Sequence, residues 1–247
     1  CLDDGEIRTP NDQAQICEVE FELKQGSPQD LITFAHTWVK KYQLWLDVRS
    51  KAERGNLLAV TKRVSPATKA KTLKLESDIS ADQAIKQIVE NTLNHILPNA
   101  AAIADGVAEA DHIHQARVGI RRLRSALKHF SNWSTQVDES WESQLAEIFR
   151  VLGDSRDNDA IQDSVIPLIQ KVCDFEFKLT ASDVTNIAQI FSRTQTTELF
   201  LSLLNFSYRE SESKPKVTKQ AAKSLTKLYQ KILKDAEHFS SLAIEEQ

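Results

Sequence analysis

The sequence predicts a mainly α-helical protein, a helical bundle preceded by a small α+β segment. Three observations predict it. From Ser77 onward, apolar residues recur at steps of three and four, the period of a core-facing helix side. Period-two alternation, the mark of a half-buried strand, dominates only over 16–24. The 247 residues are 41% hydrophobic but hold only 6 glycines and 6 prolines, so a sizeable core is served by few turns.

Taken in order, Ile16 to Lys24 sets Ile16, Val19, Phe21 and Leu23 against Glu18, Glu20, Glu22 and Lys24, which predicts a strand with one charged face. Carboxylates on one face suit a hard divalent cation, because Mg²⁺ takes carboxylate oxygens and bridges to phosphates. A solvated edge strand explains the same pattern equally well. Gln25-Gly-Ser-Pro follows as a turn, with Ser27 as N-cap and Pro28 at the first helical position of a helix to about Tyr42. Leu44 to Gly55 reads as a short strand running into a turn, and 56–60 as another extended piece. The Lys- and Thr-rich stretch 61–76, with Pro66, reads as a linker. The division is therefore 1–62, a linker over 63–76, and a helical unit over 77–247.

Ser80 is placed to cap a helix through about Leu97, ended by Pro98. A second helix runs from near Asp111 to Phe130, and a third contains Trp141, Leu145, Ile148, Phe149 and Leu152, closed by Gly153. Further periodic stretches cover about 158–172, 182–192, 195–210 and 215–239. In the turn Leu152-Gly-Asp-Ser-Arg-Asp-Asn-Asp159, Ser155 or Asp157 is placed to cap the next helix, and Arg156 and Asp157 to orient the second helix, 111–130.

The helix 111–130 carries two stripes. Ile113, Ala116, Ile120, Leu123, Leu127 and Phe130 form an apolar seam. His114, Arg117, Arg121, Arg124 and Lys128 repeat the same steps one residue later, a cationic row about 100° around the helix. From His112 to Phe130 there is no Asp or Glu to pair with it, although acids outnumber bases in the chain by 35 to 31. Arg, with its planar fork, outnumbers Lys here, which favours phosphate recognition over a merely solvated face. His112 and His114, two apart, point about 200° from each other and cannot easily share a metal. His36, His95, His129 and His238 have no partners at metal-ligand spacing.

Composition excludes several classes. A net charge of −4 argues against a general nucleic-acid coat, so any anion site is local. A nucleic-acid-binding helical module would interleave exposed aromatics for stacking, and this helix offers only Phe130, on its apolar seam. A non-catalytic scaffold or partner-binding domain is the other alternative. Cys1, Cys17 and Cys173 are odd in number and irregularly spaced, suggesting no disulfide framework or zinc site and a reducing, cytoplasmic setting. No membrane span or signal peptide is expected. The chain holds no Met, so it reads as a piece of something longer.

His114-Gln-Ala-Arg117-Val-Gly-Ile-Arg121-Arg122-Leu-Arg124-Ser, followed by Leu152-Gly-Asp-Ser-Arg156-Asp157-Asn-Asp159, resembles the signature of CHAD domains, helical modules known as polyphosphate binders. Glu18-Val-Glu-Phe-Glu22-Leu-Lys24 and Ser50-Lys51-Ala-Glu-Arg54-Gly55 resemble the closing part of the CYTH domain that precedes CHAD in bacterial inorganic triphosphatases. The resemblance implies a remnant of a triphosphate-tunnel β-barrel over 1–62 and a CHAD-like domain over 77–247, incomplete at its C-terminus. It implies polyphosphate binding by His114, Arg117, Arg121, Arg124 and Lys128, with Arg122 and Arg156 as supplements and no metal needed. For a complete tunnel it implies triphosphate hydrolysis, with Glu18, Glu20 and Glu22 catalytic and holding Mg²⁺ or another divalent cation, and Lys51 and Arg54 contacting triphosphate. Most of that tunnel is missing from this chain, which leaves enzymatic activity open.

Overall fold

The structure, a computed structural model, describes residues 1–160, 184–211 and 215–241. Two strands, β1 (Leu2–Arg8) and β2 (Gln13–Val19), pair antiparallel from Leu2↔Val19 to Arg8↔Gln13. The sequence reading gave β1 no element, because Leu2-Asp-Asp-Gly-Glu-Ile-Arg lacks alternation and β-branched bulk. It also ran β2 too far. The strand ends at Val19, so Glu20 and Glu22 lie beyond it, and Ile16 shares the half-buried side with Glu18.

Helix α1 (Pro28–Tyr42) starts as predicted, with a reciprocal cap. The Asp30 N–H donates to Ser27 Oγ at 3.2 Å and the Ser27 N–H to the Asp30 carboxylate at 3.2 Å. Its Ile32 and Val39 pack with Leu201. The expected strand and extended piece over 44–60 are instead an irregular run and a helix, α2 (Lys51–Ala59). Ser50 caps it, accepting from the Glu53 N–H at 3.1 Å, and Leu58 is buried. The good helix formers Lys51, Ala52, Glu53 and Arg54 outweigh the one unfavourable residue, Gly55.

The bundle begins with α3 (Ala81–Ala104), capped by Ser80 through Gln83 as predicted. Pro98 does not end it. A proline in a helix interior costs roughly 3 kcal/mol, but buried Ile96, Leu97, Ala100, Ala101 and Ile103 run continuously past it. Packing of that face outweighs the missing backbone donor. A turn with Gly106 at φ 72 leads into α4 (Ala110–Phe130), at the bounds expected, and a one-turn 3₁₀ helix, Ser131–Trp133.

Helix α5 (Ser140–Ala160) runs through Gly153, so the expected turn at 152–159 is not formed. Leu152 beside it is fully buried, and that packing offsets the roughly 1 kcal/mol that Gly costs in a helix interior. Then come α6 (Val184–Ser192), α7 (Thr194–Tyr208) and α8 (Val217–Ser241). The helix expected over 158–172 lies, beyond Ala160, outside the described residues, as does Cys173.

The core is one cluster. Ile85, Val89, Leu93 and Ile96 of α3 meet Ile120 and Leu123 of α4, Leu145 and Leu152 of α5, and Leu203 and Phe206 of α7. In α3 a buried ion pair, Lys86 Nζ to Asp82 Oδ2 at 2.9 Å, also reaches the Glu210 carbonyl at 2.8 Å and lies 5.6 Å from the Phe206 ring centre. The stretch 61–76 has no regular element, and it is fastened to the bundle. The Thr68 N–H donates to Asn99 Oδ1 at 3.0 Å and the Thr68 carbonyl accepts from Asn99 Nδ2 at 2.9 Å. Leu75 packs against the core cluster.

Candidate phosphate-binding face of the fourth helix

Helix α4 buries Ala116, Ile120, Leu123 and Leu127 as the seam predicts, with His112 and Gly119 also buried. Gly119 permits the contact with α3: a Cβ there would stand 2.5 Å from Ile96 Cγ1 and 3.3 Å from His95 Nδ1. His112 is structural. Its Nδ1 accepts from the Glu109 N–H at 3.0 Å, which leaves Nε2 as the donor to the Ser65 carbonyl at 2.9 Å.

The cationic row emerges on the flank facing α5. Arg117 and Arg124 lay their guanidinium groups against one ring, Phe149 of α5, at 4.6 and 5.2 Å from its centre. Arg124 also donates twice to Glu142 Oε1, from Nε at 3.0 Å and Nη2 at 2.8 Å. Arg117 lies over Gly153, where an added Cβ would come within 3.3 Å of Nη1. That Nη1 is buried and makes no hydrogen bond among the described residues. Arg121 and Lys128 are exposed and His114 is half-buried. Among the described residues, Glu142 on Arg124 is the one carboxylate paired with the row.

Arg122 does not extend that row. One residue past Arg121, it lies on the other flank of the seam, with His95 and Gln115. His95 Nε2 is 3.1 Å from Gln115 Oε1. Burial, reinforced by the Arg122 charge and opposed by the Gln115 bond, holds the His95 imidazole below its usual value. Arg122 Nη1 is also buried without a hydrogen bond among the described residues. The Arg156 side chain lies outside them.

At the amino-terminal end, residues read as two sets come together as one. Lys51 Nζ contacts Asp3 Oδ2, Glu20 Oε1 at 2.9 Å and Glu18 Oε1 at 3.3 Å, and Arg54 Nη2 bonds Glu18 Oε2. The Asp3 bond first, then those to Glu20 and Glu18, raise the Lys51 pKa. Glu22 stands apart, paired with Lys24 at 2.7 Å on an exposed stretch. The sequence reading missed Asp3, since β1 went unrecognised. It also missed Phe149, Glu142 and Gly153 as partners of the row: Phe149 was legible as an apolar position, but its service to two arginines depends on how α4 and α5 are juxtaposed.

The CHAD domain family profile matches residues 87–247, more than half of the chain. The chain belongs to the CHAD family. Its fold is similar to that in the crystal structure of the CHAD domain from the plant Ricinus communis, with a TM-score of 0.50 and 24% identity over 73% of this chain and 64% of that one. At that identity the likeness shows the fold alone. An inorganic triphosphatase of Haemophilus influenzae is 40% identical over 57 residues, 23% of this chain. The match spans 16% of the length of that protein. No helix among the described residues of this CHAD chain is long and apolar enough to cross a membrane.

Proposed function

We propose that this CHAD chain binds inorganic polyphosphate along the α4 row, with His114, Arg117, Arg121, Arg124 and Lys128 as ligands and Arg156 as a supplement. The observation that carries the reading is the state of the row. Arg117 and Arg124 are held over Phe149 while Arg117, Arg121 and Lys128 face no carboxylate among the described residues. Prepositioned guanidinium forks lose little freedom on taking a phosphate, and bidentate contact adds strength. From Arg117 to Lys128 the row runs about 16 Å, at roughly 1.5 Å per residue. A linear polyanion fits that shape better than a compact one. Binding here requires no metal.

The amino-terminal cluster is read as a remnant of a metal-dependent inorganic triphosphatase, and the likeness of the chain over 57 residues to the Haemophilus enzyme supports a parent of that kind. Asp3, Glu18 and Glu20 bring ligand oxygens within 4.8 Å of one another, an all-oxygen set that suits Mg²⁺ or another hard divalent cation. Such a cation would neutralise triphosphate charge, with Lys51 and Arg54 as further phosphate contacts. Lys51 stands among the three carboxylates, so it would have to move aside for the ion. The division at 1–62, 63–76 and 77–247 belongs to the same proposal.

The test is a titration of the chain with long-chain polyphosphate at several salt concentrations, metal-free, with duplex DNA and triphosphate as competitors. At roughly 0.7 counterions released per phosphate neutralised, five row residues give a log–log slope of about −3.5. Tight binding that resists DNA is expected, and Arg117→Glu with Arg121→Glu should abolish it with the helical circular dichroism retained. Displacement by DNA at equal concentration would favour a nucleic-acid-binding module instead, and the absence of any binding would refute the reading.

A further inference from the structure

Beyond Lys128 the row leads into a cleft of about 540 Å³ between the end of α4 and helix α8. Lys128, His129, Ser131 and Asn132 form one wall; Ser224, Lys227, Lys231 and Lys234 are on the other. Among the described residues no carboxylate lines it. Among the described residues none of these lysines has an ion-pair partner. Lys128 and His129 have a local reason to be where they are, since cations in a last helical turn complement the helix dipole. The α8 lysines, in mid-helix, have none. Gathering them in one concavity, in a chain of net charge −4, is unfavourable unless an anion offsets the repulsion. The start of α8 is fixed to the bundle by buried Val217 and by the Trp133 Nε1–H bond to Ser224 Oγ at 3.4 Å, which anchors the near end of this wall at Ser224.

We infer that the cleft is a second phosphate subsite, which takes the continuation of a polyphosphate chain already seated on the α4 row and so makes this protein selective for long chains. The inference rests on the α4 reading and adds residues, a direction and a length preference to it. Lys128 belongs to both subsites and is the junction. The α8 lysines, from Lys227 to Lys234, add a run of about 10 Å to the roughly 16 Å of the row. Triphosphate is shorter than either run and engages only one subsite. A long chain engages both, and its second contact is intramolecular, which multiplies affinity without any change at the first. Seryl hydroxyls and the Asn132 amide supply neutral donors between the cations.

The experiment compares Lys227→Gln/Lys231→Gln/Lys234→Gln in α8 with Arg117→Gln/Arg121→Gln in α4, each in the full chain. Gln is close to Lys in helix propensity and the three lysines are exposed, so the fold should be kept, which circular dichroism checks. Affinities for long-chain polyphosphate and for triphosphate are measured across a salt series. The α8 variant should bind long chains about 10- to 100-fold more weakly, with a log–log slope shallower by about 2 for three lost phosphate contacts, and should bind triphosphate as the parent does. The α4 variant should lose both ligands. If the α8 variant keeps the parent's affinity and slope for long chains while the α4 variant loses them, the cleft is not a subsite and the α4 reading stands. If the α8 variant also loses triphosphate, the division into two subsites is overturned. If neither variant changes either ligand, both readings fall together.

Discussion

Replacing Gly119 by Ala should destabilise the protein although it places the better helix former in mid-helix. The added Cβ would lie 2.5 Å from Ile96 Cγ1, where carbon atoms ordinarily rest about 3.5–4.0 Å apart. Ile96 is fully buried and branched at Cβ, so it cannot rotate away, and α3 and α4 must separate by about 1 Å. Overpacking of this kind costs about 1–3 kcal/mol, against about 1 kcal/mol gained in helix propensity. The expected net loss is up to about 2 kcal/mol, read as a lower urea midpoint with unchanged slope. A thermodynamic cycle sharpens the point. Ile96→Ala alone should cost about 2–5 kcal/mol by leaving a cavity; in that background the alanine methyl at 119 has room, and Gly119→Ala should stabilise by up to about 1 kcal/mol. A Gly119→Ala variant more stable than the parent would refute the close approach of the two helices, and an additive cycle would refute Ile96 as the obstacle.

Three other outcomes follow from the same geometry. Gly153→Ala should leave stability equal or raise it by up to about 1 kcal/mol, yet weaken polyphosphate binding, because Arg117 must lift off α5; calorimetry beside a binding titration separates the two effects. Glu142→Gln removes the carboxylate that competes for Arg124 and should tighten polyphosphate binding several-fold while stability moves by less than about 1 kcal/mol, as for exposed pairs generally; unchanged affinity would place Arg124 outside the site. Burial lowers the pKa of both His36 and His95, so the unfolded chain takes up protons first, near its ordinary value of about 6.5. Their contribution to stability is then fully present above about pH 6.5 and lost as the pH falls through the lowered folded values. His95→Gln should flatten the decline in melting temperature on acidification, and a decline as steep as the parent's would contradict a neutral buried imidazole.

Where a pattern depends only on its own helix, the sequence was a sound guide. The seam of α4, the caps at Ser27 and Ser80 and the bounds of α1 and α4 needed nothing from elsewhere in the chain. Where tertiary packing competes with a local signal, reading failed in a consistent direction. Pro98 and Gly153 are local stop signals, yet both sit inside helices, Pro98 with a buried face that continues past it and Gly153 beside fully buried Leu152, and packing outweighs local cost. The strand β1 was illegible because its support is a partner strand, not its own composition. The same holds at the candidate site. The row's spacing was plain, but only the juxtaposition of α4 with α5 shows that Phe149 carries two of its arginines and that Glu142 occupies one, and only that of α4 with α3 sets Arg122 beside His95. At the other end, Asp3 joined Glu18 and Glu20 through a strand pairing that no motif announced, while Glu22, farther past the end of β2, pairs with Lys24 instead.

The attachment of residues 63–76 gives those irregular residues a reporter role. The amide of Thr68 sits in a stretch with no ladder of its own, and an amide there would ordinarily exchange with solvent within moments of any local fluctuation. Its hydrogen is instead held by Asn99, a fully buried residue toward the C-terminal end of α3, and the Ser65 carbonyl nearby is held by buried His112 of α4. Releasing Thr68 therefore requires disturbing the helix pair at the centre of the bundle, so its deuterium uptake should follow the slow opening of α3 and not that of neighbouring loop amides. One amide outside every helix thus serves as a clock for the unfolding of the core.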